Sequence, residues 1–189
     1  MTLEQYSEIL SVGTFLLGGA SFLALIIYAL SAKARQFFNS LGRPFFLNLM
    51  GIVVFFSIVG AFIYQLVYLT PVCELCWWQR IFMFPIAIVI PVGLYFRDRG
   101  TAIITGILAA FGMFFSAYHY YYHFQILVLG NALSIPCTTG LLPACTESPI
   151  LIWGFVTIPL MALLGFFSIF ILSFFAFFAR HATSSSIAR

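Results

Sequence analysis

Residues 150–178 read ILIWGFVTIPLMALLGFFSIFILSFFAFF, a run of 29 residues in which no side chain is charged. Because about 30 Å of hydrocarbon is crossed at about 1.5 Å per residue, roughly 20 apolar residues span a membrane as a helix. The core of a soluble domain does not require an uncharged run of this length. The stretch therefore predicts a membrane-spanning helix and sets the class of protein.

The composition of the whole chain agrees with this class. Of the 189 residues, 63% are hydrophobic and only 7% are charged, and the mean hydropathy is +1.11. Soluble domains carry about 25% charged residues. The composition therefore excludes a water-soluble globular protein, a disordered chain and a nucleic-acid-binding protein of the basic-patch kind. We expect membrane lipid around the protein and no nucleic-acid partner.

Charged residues divide the remaining chain into uncharged stretches that predict four further spans. The stretch 100–146 holds one span, because after about Gln125 it is rich in Pro, Gly, Asn and Thr. The uncharged stretch 81–96 reaches only about 24 Å, so its helix must begin before Arg80, near Cys76. We predict an all-α integral membrane protein with spans at about 10–30, 46–69, 77–96, 101–124 and 150–178.

Basic residues indicate the orientation in the membrane. Five spans place seven of the eight basic residues on one side, namely Lys33, Arg35, Arg43, Arg97, Arg99, Arg180 and Arg189. The opposite side receives Arg80 and most of the acids, so the positive-inside rule makes the first side cytoplasmic. We expect the N-terminus outside and the C-terminus in the cytoplasm. Glu4 and Glu8 stand where a signal peptide would be basic, so we expect no cleaved signal.

All four cysteines fall in the two loops predicted to be extracytoplasmic. Cys73 and Cys76 form Cys-x-x-Cys before the third span, and Cys137 and Cys145 lie between spans four and five. Two cysteine pairs in an oxidising compartment indicate redox chemistry or disulfide staples. A Cys-x-x-Cys disulfide opens readily, and a helix N-terminus favours the thiolate of Cys76. For the second pair, a relay of oxidation and a plain staple both stay open.

Arg80 lies four residues after Cys76, one turn along the same helical face. Its guanidinium either snorkels to the headgroups or faces the bundle and binds something. In the bundle it would favour the Cys76 thiolate and could stabilise an oxyanion. The chain carries no dinucleotide fingerprint, haem-attachment motif or iron–sulfur motif, so a lipid-soluble quinone, ubiquinone or menaquinone, is the expected electron acceptor.

His119 and His123 lie near the outer end of the fourth span, within YHYYYH (118–123). They belong either to an interfacial aromatic belt or to a quinone rim or proton relay. With the cysteines they also allow a metal site, as in a metal-binding membrane transporter. The seven residues between Cys137 and Cys145 and an oxidising exterior argue against metal. A structural membrane subunit stapled by disulfides is a further alternative.

The stretch CELCWWQR (73–80) resembles the C-x-L-C…R signature of the DsbB/BdbC family of disulfide bond formation proteins. The loop cysteine pair and GFVTIP (154–159) are similar to that family's last span, and the likeness covers roughly residues 45–178. It implies a thiol:quinone oxidoreductase in the bacterial plasma membrane that oxidises a thioredoxin-like thiol oxidase of the DsbA/BdbD type. Vitamin K epoxide reductase-like enzymes are the alternative, but their loop cysteines precede the Cys-x-x-Cys pair.

The resemblance also implies roles for individual residues. Cys76 would contact the quinone ring, with Cys73 as the other member of the quinone-side pair. Cys137 would form the mixed disulfide with the thiol oxidase, and Cys145 would exchange with Cys73. The residues that would bind the quinone are Arg80 and His123.

The resemblance leaves the first span unexplained. The family core is a four-helix bundle, whereas residues 9–32 add a fifth, N-terminal span to this chain. Packing, partner selection and membrane insertion are all possible roles for it. The expected units are an N-terminal helix with a cytoplasmic loop (1–44), a four-helix catalytic bundle (45–180) and a cytoplasmic tail (181–189).

Overall fold

In the computed structural model, residues 2–96, 98–130 and 150–179 are described, and they form a bundle of helices. Five helices are long and apolar enough to cross a membrane, which confirms the predicted all-α membrane fold. The helices are α1 (Leu3–Leu30), α2 (Ala32–Ser40), α3 (Arg43–Leu66), α4 (Glu74–Phe96), α5 (Gly100–His123) and α6 (Ile158–Phe178), with a π-helical turn (Phe124–Val128) after α5. The loop cysteines Cys137 and Cys145 and the tail 181–189 lie outside the described residues.

Helix α6 occupies the centre of the bundle. In its most apolar stretch 56% of the residues are buried, against 17–33% for the other four spanning helices. It packs against α1, α3 and α5, and α4 completes the bundle between α3 and α5. Lipid does not hydrogen-bond to peptide groups, so helices that satisfy their own backbones are the expected way for these sequences to fold.

The buried guanidinium of Arg43 ties α3 to the end of α6. Arg43 is 2% exposed, and its Nε donates to the carbonyl of Ala176 at 3.2 Å. The last carbonyls of a helix lack intrahelical partners and carry partial negative charge, so a cation is favourable there. This contact lies at the end of the bundle opposite to Cys73 and Cys76. We call the other end, where α1 and α4 begin, the cysteine end.

The last span begins later than its apolar sequence predicts. Residues 150–157 do not continue α6, because the backbones of Ile152 and Val156 pair with each other at 2.9 and 2.8 Å. Between them Trp153 and Gly154 adopt positive φ angles of 52° and 77°, which a right-handed helix does not contain. Apolar composition alone does not distinguish such a turn from a helix. Pro159 therefore stands in the first turn of α6 and does not kink a span.

Two glycines on α5 face α6 at different distances. An added Cβ at Gly112 would overlap the ring of Phe166, which is 1% exposed. An added Cβ at Gly106 would lie 3.5 Å from Ser173, an ordinary contact. Small residues let membrane helices approach closely, as the spacing of small residues on this span predicts. Gly112 is thus the position at which the approach of α5 to α6 depends on the missing side chain.

We expect Gly112→Ala to destabilise the protein by about 1–3 kcal/mol, because the methyl group must displace a buried aromatic ring. Gly106→Ala is the matched control and should leave stability unchanged or slightly raised. The measurement is the thermal unfolding midpoint of both variants in the same detergent. Equal midpoints for the two variants would contradict the assignment of the close contact to Gly112.

Candidate active site

The Cys73–Cys76 pair lies at the N-terminus of α4. The Cys73 carbonyl accepts a hydrogen bond from the Trp77 backbone N–H at 3.3 Å. The two Sγ atoms are 3.3 Å apart, in contact but beyond the about 2.05 Å of a disulfide bond. Cys73 is 5% exposed and Cys76 is half-buried. Because the first N–H groups of a helix lack intrahelical partners, negative charge on a nearby sulfur is favourable.

A buried imidazole from α5 contacts the first sulfur. His119 Nε2 lies 3.7 Å from Cys73 Sγ, and His119 is 1% exposed. Its other ring nitrogen, Nδ1, lies 3.3 Å from the Gln79 side-chain amide on α4. Gln79 Nε2 can only donate, so Nδ1 accepts its hydrogen and the ring proton of neutral His119 is on Nε2, facing the Cys73 sulfur. His119 is therefore placed to donate a hydrogen bond to a Cys73 thiolate.

The Arg80 guanidinium is held between α3 and the first turn of α4. It donates to Gln65 Oε1 at 2.5 Å and to the Ala61 carbonyl at 3.5 Å. Its central carbon lies 5.6 Å from the Phe62 ring centroid and 5.4 Å from that of Trp77. Three of these four partners belong to α3. The described contacts therefore correspond to the second of the two expected placements, in which Arg80 faces the bundle.

A partly open cavity of about 160 Å³ lies beside Cys76. Most of its wall is apolar and comes from α1, α3, α4 and α6, with residues such as Leu10, Phe56, Phe84 and Phe166. The polar residues that border it are Thr14, Ser57, Tyr64, Gln65, Thr70, Cys76, Gln79 and Arg80. Ligand sites in proteins are commonly of this kind, apolar with a few convergent polar groups.

This cavity fits a molecule with a carbonyl-bearing head and an apolar tail. Thr70 borders the cavity, and its buried Oγ1 has no hydrogen-bond partner within the described ranges. A buried hydroxyl without a partner is costly, so a ligand oxygen beside it would be stabilised. Together with the guanidinium of Arg80, the Thr70 hydroxyl offers hydrogen-bond donors for a ligand carbonyl.

His123 lies one turn beyond His119 and is also 1% exposed. The two rings pack edge to face, with centroids 4.5 Å apart. His123 is not among the described residues that border the cavity. Its binding to quinone stays a prediction, whereas His119, the other histidine of the aromatic stretch, contacts Cys73.

Cys73, Cys76 and His119 offer sulfur and nitrogen donor atoms of the kind that soft metal ions bind. The ligand atoms of Cys73, Cys76 and His119 all lie within 4.8 Å of one another. The expected metal alternative named the cysteines and both histidines, and in the described residues this set joins only His119 to the Cys73–Cys76 pair. Structural zinc sites use four protein ligands as a rule, and the described part of the chain supplies three here.

Three polar residues of the site were not singled out from the sequence, namely Gln65, Thr70 and Gln79. Their signal was available, because Gln65 and Gln79 are uncharged polar residues in otherwise apolar spans. Polar residues in spans commonly face other helices and hydrogen-bond across them. Their partners could not be read from the chain, since Gln79 and His119 are forty positions apart.

Fold and site together define a class: a multi-pass helical membrane protein with a Cys-x-x-Cys pair at one end of its bundle, beside an apolar cavity. The sequence profile described as "Disulfide bond formation protein DsbB" matches residues 43–177 of this chain. The chain therefore belongs to the DsbB family. As a member it is a disulfide bond formation membrane protein with an oxidoreductase role.

Curated relatives carry related names. The SPbeta prophage-derived disulfide bond formation protein B of Bacillus subtilis is 32% identical over 128 residues, which are 68% of this chain and 82% of the relative. A probable disulfide formation protein of Coxiella burnetii is 33% identical over 130 residues, covering 69% and 84%. A probable disulfide formation protein C of Halalkalibacterium halodurans is 33% identical over 122 residues, covering 62% and 82%. None of the solved structures matches the chain significantly.

We expect His119→Phe to slow alkylation of the Cys73 thiol by roughly tenfold at neutral pH, because the substitution removes the nitrogen that contacts the sulfur. The measurement is the rate of reaction with iodoacetamide in a background where Cys76, Cys137 and Cys145 are serine. His123→Phe removes a second buried imidazole and is the matched control. Equal alkylation rates in the two histidine variants would show that His119 does not increase the reactivity of Cys73.

Proposed function

We propose that this protein reoxidises an extracytoplasmic thioredoxin-like thiol oxidase and passes the electrons to a membrane quinone. In this way it would support disulfide bond formation in exported proteins. The observation that carries the proposal is the position of Cys76, which borders the cavity together with Arg80 and with the Thr70 hydroxyl, which has no hydrogen-bond partner among the described residues. A dithiol that opens onto an apolar cavity within the membrane suits an acceptor dissolved in lipid.

The stoichiometry of the proposed reaction balances. Oxidation of the partner's dithiol to a disulfide releases two electrons and two protons, and reduction of quinone to hydroquinone takes up both. The cysteines transfer oxidation by exchange, in which a thiolate attacks a disulfide sulfur and the displaced sulfur leaves as a thiolate. A quinone, ubiquinone or menaquinone, supplies the electron-accepting chemistry; the protein supplies the thiols, the binding site and the proton-handling groups.

The two sulfurs of the pair have different surroundings, which supports different roles. Cys76 borders the cavity and would face the quinone. Cys73 lies against His119, whose Nε2–H faces the sulfur and would stabilise its thiolate when Cys73 is the leaving group. In the proposed relay Cys73 exchanges with Cys145, and Cys137 forms the mixed disulfide with the partner.

Arg80 is proposed to bind the quinone head and to favour the Cys76 thiolate. In a site that excludes water, a fixed cation stabilises developing negative charge more strongly than it would in solvent. Gln65 and the Ala61 carbonyl fix the guanidinium before a ligand arrives. His123 is kept as a second proposed quinone-binding residue on the strength of the family resemblance.

The family supports the kind of protein partner, and the distribution of basic residues supports the side of the membrane on which the cysteines lie. The names of the relatives refer to disulfide formation, which supports a DsbA/BdbD-like thiol oxidase as the partner. We place the protein in the bacterial plasma membrane with the cysteine end outside, because seven of the eight basic residues fall on the other side. The proposed units remain the helix and loop 1–44, the catalytic bundle 45–180 and the cytoplasmic tail 181–189.

The orientation is tested with single cysteines in a chain whose four native cysteines are serine. Thr2→Cys lies at the cysteine end, and Ser40→Cys ends α2 at the other; both positions are exposed. A membrane-impermeant maleimide should label Thr2→Cys in intact cells and Ser40→Cys only after permeabilisation. The reverse pattern would place the dithiol in the cytoplasm and contradict the proposal.

The redox proposal is tested by following quinone reduction optically, with purified protein and a reduced thioredoxin-like dithiol protein. Cys76→Ser should abolish turnover. Arg80→Ala should raise the KM for quinone about tenfold, as expected for losing a charge-assisted hydrogen bond worth about 1.5–3 kcal/mol. It should slow single-turnover oxidation of the partner much less.

Arg35→Ala is the matched control, since Arg35 is exposed and donates only to carbonyls near the end of α1 in the described contacts. An unchanged quinone KM in Arg80→Ala would remove Arg80 from the mechanism. No turnover with ubiquinone or menaquinone analogues, combined with one zinc ion bound per chain and lost in His119→Ala, would favour the metal alternative.

A further inference from the structure

Helix α1 contributes to the same cavity as the dithiol. Leu10 and Thr14 of α1 border it, as do Cys76 and Arg80 of α4. The family match begins at residue 43, so α1 lies outside the matched region. The wall that α1 provides is therefore not explained by the family resemblance, which left the first span without a role.

Small and polar residues hold α1 against the bundle. Ser7 and Ser11 are fully buried, and the Tyr64 hydroxyl of α3 donates to Ser7 Oγ at 3.0 Å. The Tyr6 hydroxyl donates to the carbonyl of Gly60 at 3.4 Å. These contacts lie at the cysteine end and fix where α1 stands relative to α3.

The position of α1 leaves a gap beside α3, and the cavity lies there. Farther along, a Cβ at Gly18 would lie 3.0 Å from Leu164, so α1 approaches α6 closely. Toward α3, by contrast, long side chains bridge the two helices, Tyr6 from α1 and Tyr64 from α3. The space between the two helices is bordered by Leu10 and Thr14 on one side and by α3 residues such as Phe56 on the other.

The cavity is mostly apolar, and the charged residue that borders it, Arg80, lies one helical turn after Cys76. Thr70 and Gln79 also border it. On the α1 side the Thr14 hydroxyl already donates to the Ser11 carbonyl at 3.0 Å, and Leu10 is apolar. A ligand with its carbonyl head near Arg80 would thus present an apolar part to α1.

We infer that α1 forms one wall of the quinone-binding cavity and that Leu10 and Thr14 contact the apolar part of the quinone, its isoprenoid tail. This inference rests on the proposed function and adds a specificity-determining element to it. The N-terminal helix would then help to select which quinone is used, through the space that its side chains leave beside α3.

The test compares tryptophan substitutions on two faces of α1. Thr14→Trp fills the cavity side, whereas Leu16→Trp is the matched control on a side chain that is 69% exposed. We expect Thr14→Trp to raise the KM for an isoprenylated quinone about tenfold, equal to about 1.4 kcal/mol. The KM of Leu16→Trp for the same quinone should stay within about twofold of that of the unmodified protein. The single-turnover rate of dithiol-partner oxidation should be similar in the unmodified protein and both variants.

A second measurement needs no variant and covers the case in which Thr14→Trp does not fold. A quinone with a photoreactive group on its tail is irradiated with the unmodified protein, and labelled peptides are identified by mass spectrometry. We expect label on the peptide that contains Leu10 and Thr14, removed by excess unlabelled quinone. Label confined to other helices would overturn the inference.

The outcomes separate this inference from the function on which it rests. If the unmodified protein reduces quinone and the two tryptophan variants have the same KM, α1 does not form the wall and the proposed function stands. If the unmodified protein reduces no quinone while it still exchanges disulfides, the electron acceptor is wrong, and the inference fails with it.

Discussion

Two hydrogen bonds from the second turn of α4 to its neighbours support the rest of the site. Gln79 pairs with His119 of α5, and Arg80 pairs with Gln65 of α3. Through these bonds, residues 79–80 fix the His119 imidazole beside the Cys73 sulfur and the Arg80 guanidinium at the cavity that Cys76 borders. Because polar groups inside an apolar bundle have few alternative partners, these contacts determine how the three helices meet at the cysteine end.

The bundle thus separates two environments that thiol chemistry in a membrane requires. On one side of the pair, Cys73 is buried against the imidazole of His119, whose other ring nitrogen accepts a hydrogen bond from Gln79. On the other, Cys76 opens onto a mostly apolar cavity with a fixed cation. In the proposed function, exchange with the protein partner and reaction with the lipid-soluble acceptor would therefore occur at neighbouring atoms without sharing one binding surface.

Much of the fold was predictable because lipid imposes a simple rule. Uncharged stretches of sufficient length must become helices, so the five spans and the early start of α4 followed from the positions of charges such as Arg80. The start of α6 did not, since the turn at Trp153 and Gly154 is as apolar as a helix and is set by backbone angles. Helix α2 was likewise missed, because its polar sequence reads as a loop.

The sequence by itself determined the class, the family likeness and the thiol pair, because each depends on local composition or on spacing within one helical turn. Tertiary structure alone decided that His119 contacts Cys73, that Arg80 turns toward Gln65, and that α1 borders the cavity. Those facts join residues on different helices. They depend on how helices rotate and pack against one another, and small differences in side-chain volume, as at Gly18 and Gly112, set that packing over the whole length of the bundle.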